Sequence, residues 1–140
     1  MESITMMDID KIKFAEDAYE NACKYLGVKY TPLLYSDLDN IGISNRHVKA
    51  ISAIYKLIII AEAWNKEDCF VPDFSNHNQC KWFPWFVYNG AYEGFGYAYT
   101  RSTPLESHAF VGSRLCFGSK KRATEFGEQF IWLWNDFLLI

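Results

Sequence analysis

The chain has 140 residues, half of them hydrophobic and 18% aromatic, with 22% charged and a formal net charge of −3. That length and apolar content bury enough surface for one domain over 1–140 without staples, and the charged fraction is too ordinary for disorder. The acidic balance weighs against a whole-protein grip on nucleic acid, which needs a basic surface.

The longest apolar run, Ile58-Ile59-Ile60-Ala61, is far short of the roughly 20 residues that span a bilayer, so no membrane partner is expected. Met1 to Asp10 lack a basic stretch ahead of an apolar one, so no signal peptide is expected either. Cysteines stand at 23, 69, 80 and 116 with no CxxC pair, and without a secretion signal they read as four reduced thiols.

In chain order, a first helix is predicted over 10–26. Ile12, Ala15, Tyr19, Ala22 and Leu26 make its apolar stripe; Asp8 or Asp10 caps it and Gly27 stops it. Its other face, with Lys11, Lys13, Glu16, Asp17, Glu20 and Lys24, reads as solvated. Residues 28–44 carry turn chemistry in Pro32, Ser36-Asp37, Asp39-Asn40 and Gly42, with Leu33, Leu34, Leu38 and Ile41 pinning the loop to the core. A second helix is predicted over 44–64, capped by Ser44 and buried on more than one side from Ile54 onward. Residues 65–79 read as a loop.

An aromatic block follows. A strand over 80–88 carries Trp82, Phe86 and Tyr88 on one face and Phe83, Trp85 and Val87 on the other. Pro84 removes a ladder N–H and marks an edge or a bulge. Asn89-Gly90 signals a hairpin into a strand over 92–100, with Phe95, Tyr97 and Tyr99 on one face and Gly94, Gly96 and Ala98 on the other. The glycine-lined face suggests close approach of another backbone. Residues 101–112 read as a polar connection, 113–118 as a third strand, and 119–138 as an amphipathic helix capped by Ser119. Its stripe is Ala123, Phe126, Phe130, Leu133 or Trp134, and Phe137. The expected fold is α+β: two N-terminal helices, a three-stranded antiparallel aromatic-rich meander, and a C-terminal helix packed on the sheet.

Four constellations could carry chemistry. His77 and Cys80 have an H-x-x-C spacing that Cys69, His108 and Cys116 could join, but zinc sites of this kind usually show two such pairs, and no metal or other cofactor is expected. A Cys/His nucleophile built from Cys80 with His77 or His108 lacks any flanking motif, so no catalytic residue is assigned. Lys120, Lys121 and Arg122 put three cations in the first turn of a helix, against its dipole; a bound anion would offset this, with Arg114 or Arg101 assisting. Finally, nine aromatics between Trp82 and Tyr99 exceed what one small core needs, and Trp132 sits among Glu125, Glu128, Gln129 and Asp136. Exposed Trp and Tyr favour protein interfaces, so Trp132, Pro84, Trp82 and Trp85 are the candidate contact residues.

Several runs carry a family likeness: Arg46-His47-Val48-Lys49-Ala50, Trp64-Asn65, Pro72-Asp73-Phe74-Ser75-Asn76, Lys81-Trp82-Phe83-Pro84-Trp85-Phe86, Gly112-Ser113-Arg114-Leu115-Cys116-Phe117, and Ala123 with Phe126-Gly127-Glu128-Gln129-Phe130. In order and spacing they resemble a family of small proteins of phages and prophages of Bacteroidetes-type gut bacteria, over residues 40–140. That family has no established activity, so no functional residue carries over. The resemblance implies a viral protein in the host cytoplasm or the virion. The leading expectation is therefore a non-enzymatic protein that binds protein: itself, a virion component or a host protein. The alternative is a nucleic-acid or phosphate-binding accessory using the basic helix start.

Overall fold

A computed structural model describes residues 6–31, 38, 40–91, 94–102 and 113–139. Its elements are α1 (Met6–Leu26), α2 (Asn45–Glu67), β1 (Trp82–Ala91), β2 (Gly94–Ser102), a 3-10 turn (Ser113–Leu115), α3 (Lys120–Gln129) and α4 (Ile131–Leu138). The class is α+β, with four helices and a two-stranded antiparallel sheet among the described residues. The expected Pro32, Leu33, Leu34, Ser36-Asp37 and Asp39 of the first loop, and residues 103–112 with His108, lie outside those described.

Helix α1 covers Met6–Leu26, so Asp8 and Asp10 stand inside it rather than capping it. Ala15, Tyr19 and Ala22 are buried as the spacing predicts, Cys23 is buried beside them, and Ile12 is exposed. Gly27 ends the helix at φ +72°, where Val28 N–H reaches Cys23 O at 2.9 Å. That left-handed C-cap is the geometry glycine suits best. Glu16 departs from the expected solvated face. It accepts from Lys56 Nζ at 2.8 Å and from the Tyr30 hydroxyl at 2.8 Å, and so ties α1 to α2. Ile41, expected to pin the first loop, is exposed.

Helix α2 runs three residues beyond the predicted end and packs against α1, α4 and the 3-10 turn. Ser44 takes the N-cap conformation, but its side chain makes no cap bond. The C-terminus closes with Phe70 N–H on Asn65 O at 2.8 Å and Cys69 N–H on Lys66 O at 3.2 Å. Cys69 occupies the left-handed position at φ 53°, where glycine is usual.

The hairpin differs from the expected one in three ways. The ladder ends at Ala91 paired with Gly94, and Asn89-Gly90 form an irregularity in β1 instead of the reversal; Gly90 still takes the positive φ of +79°. A bulge sets Trp85 opposite Tyr99 but Phe86 opposite Tyr97, so Ala98 is the extra residue and Tyr97 and Tyr99 do not share a face. Over the described residues 113–118 the expected third strand does not form. Only Phe117 pairs with Trp82, by N–H···O bonds of 2.7 and 2.9 Å. Continuing that antiparallel register would set Leu115 opposite Pro84, which has no N–H to donate. The chain instead takes the 3-10 turn, and β1 lies between Phe117 and β2.

The expected single C-terminal helix is two. Phe130, at φ −111° and ψ 28°, interrupts it. Each half has its own partner: α3 lies on both strands, whereas α4 packs against α2 and the edge of β2. Glycine permits both approaches; Gly94 belongs to the glycine-lined strand, where a close approach is expected, whereas Gly127 is on the helix. A Cβ at Gly127 would stand 2.6 Å from Pro84 Cβ, and one at Gly94 would stand 2.5 Å from Asn135 Oδ1. Asn135 meets the β2 edge as a strand would: Oδ1 accepts from Phe95 N–H at 2.6 Å and Nδ2 donates to Phe95 O at 2.8 Å.

The core is an aromatic cluster centred on Phe126, whose ring lies 4.7 Å from Phe117, 5.4 Å from Phe130, 5.6 Å from Trp64 and 5.8 Å from Trp134. Phe86 of β1 joins through Trp134 at 4.6 Å. Truncating Phe126 to Ala removes contacts to four ring systems at once and is expected to lower stability by about 3–5 kcal/mol. Urea unfolding monitored by circular dichroism should show an earlier midpoint with an unchanged slope.

Candidate functional site

Register and bulge sort the hairpin side chains. Pro84, Phe86 and Tyr97 face the helices, and Trp82 packs against the core. On the helix side, the hydroxyls of Tyr97 and Thr100 (2.6 Å) and of Thr100 and Thr124 (2.8 Å) tie β2 to α3. The opposite face carries Trp85 directly across from Tyr99, with Val87 two residues along β1 and the buried Phe83 ring 6.3 Å from Trp85. Trp85 is 44% exposed, Val87 47% and Tyr99 49%.

The four predicted contact residues therefore separate. Trp85 is on the exposed face, Pro84 is buried beneath Gly127, and Trp82 is half-buried. Trp132, expected on a polar face, is half-buried and packed against the core, because the interruption at Phe130 breaks the helical phase that placed it outward. Tyr99 and Val87 join Trp85 in their place. Strict alternation grouped Tyr99 with Tyr97, and nothing in the residue pattern announces the extra residue at Ala98.

The basic helix start is also divided. Arg122 grips Asp68 with both Nε–Oδ2 at 2.8 Å and Nη2–Oδ1 at 3.0 Å, reaches Glu67 at 3.5 Å, and lies 4.7 Å over the Trp64 ring. The hydrogen bond to Asp68 raises the guanidinium pKa above its ordinary value. Arg122 opposes the dipole of α3 but sits at the carboxyl end of α2, where a cation is favoured. Lys121 approaches Glu125 at 4.0 Å in a solvated pair worth little. Lys120 and Arg114 are exposed. The Arg101 side chain lies outside the described residues.

The cysteines are thiols. Cys69 is exposed, Cys80 half-buried beyond the exposed His77, and Cys23 and Cys116 are buried. Burial pushes the Cys116 thiol up to about 11, against an opposing pull from Lys81. An activated nucleophile needs the reverse shift. Among the described residues no three His, Cys, Asp or Glu side chains gather as metal ligands, and no helix is long and apolar enough to cross a membrane.

No family model, curated protein or solved structure matches the chain.

Two predictions follow from these side chains. Arg122→Met keeps an aliphatic stem over Trp64 but removes the bidentate pair, and should cost about 1 kcal/mol in urea unfolding at low salt and less at high salt. The second concerns alkaline pH. Burial raises Cys116 and Tyr19, and the hydrogen bond to Glu16 raises Tyr30 to about 12. The folded chain thus keeps protons that the unfolded chain releases, and the stability this provides is full below the ordinary thiol and phenol values. It is lost as pH rises from 9 toward 11 for Cys116 and from 10 toward 12 for Tyr30. The urea midpoint should fall steadily over that range, and at neutral pH a thiol reagent should label Cys69 but not Cys23 or Cys116 until unfolding.

Proposed function

We propose that this chain is a non-enzymatic binding protein that engages another protein chain through the outer face of its hairpin. The observation behind this reading is the cross-strand pair Trp85 and Tyr99, each close to half exposed, with Val87 beside it. Large aromatics on a strand face are rigid, carry much contact area and lose little conformational freedom when covered, which is why they recur at the centres of interfaces. The adjoining edges are already managed. Pro84 interrupts the outer edge of β1 and Asn135 caps β2 at Phe95, so the partner meets side chains on the sheet face. In the phage setting that the family resemblance implies, the partner is a second copy of the chain, a virion component or a host protein, met in the host cytoplasm or the virion. The committed Arg122 lends no support to a nucleic-acid or phosphate function at the start of α3.

The test is the double variant Trp85→Ser, Tyr99→Ser. Sedimentation of the wild type should show a concentration-dependent dimer, or cross-linking in phage-infected host extract should yield one saturable protein adduct. The variant should lose that association with its melting temperature unchanged. An association that survives the double substitution would overturn the reading, as would a strictly monomeric wild type that forms no saturable adduct.

A further inference from the structure

We draw no further inference here: the strongest candidate, the open cleft that Phe70, Val71 and Phe74 line after α2, carries none, because nothing in the structure shows what covers it.

Discussion

The structure depends on one side chain more than any other. Phe126 touches Trp64 from α2, Phe117 from the segment before α3, Phe130 from the break between the last two helices, and Trp134 from α4. Those contacts decide where α2, the C-terminal helices and the hairpin lie relative to each other, since Phe86 enters through Trp134. Packing takes precedence over polar satisfaction here. Trp134 Nε1 is buried without a hydrogen-bond partner, a cost of about 1–3 kcal/mol that dense ring contact must offset.

Helix positions were legible because a 3.6-residue stripe is a local signal. Ala15, Tyr19, Ala22, Ala123, Phe126 and Phe130 are buried where the spacing placed them. Strand faces were less legible, because a period of two does not survive one inserted residue. Ala98 moves Tyr99 to the outer face, and Asn89-Gly90 moves the reversal beyond the dipeptide that signals it. Pro84 marks an obstacle to pairing from its residue type alone. Its consequence, that 113–118 cannot continue as a strand against β1, needs the register of Phe117 with Trp82, which no local pattern carries.

The candidate sites were legible only in part, and for the same reason. Trp85 stands where surplus aromatics were expected, but Trp132 does not, because the break at Phe130 depends on α3 and α4 having different partners. The buried polar residues left no trace in the sequence. Asn135 lies in a segment that reads as ordinary helix, and Asn65 in one that reads as a loop. Asn135 supplies both bonds a neighbouring strand would give Phe95, and Asn65 holds the carbonyl of Cys116. Lys81 lies at the start of an aromatic block, and only the folded loop around it shows that carbonyl oxygens solvate its charge.

The cations at the start of α3 show how a local contradiction can resolve through tertiary placement. Taken alone, Lys120, Lys121 and Arg122 oppose the dipole of the helix they begin. In the fold, the first turn of α3 meets the end of α2, and Arg122 serves that end instead. It pairs with Asp68 and Glu67 and covers Trp64. The charge opposed by one helix is favoured by the other, and the aromatic core supplies the surface on which it lies. An anion is therefore not needed to explain Arg122. Lys66, in the last turn of α2, likewise lies over an aromatic ring, 5.1 Å from the centre of Tyr25.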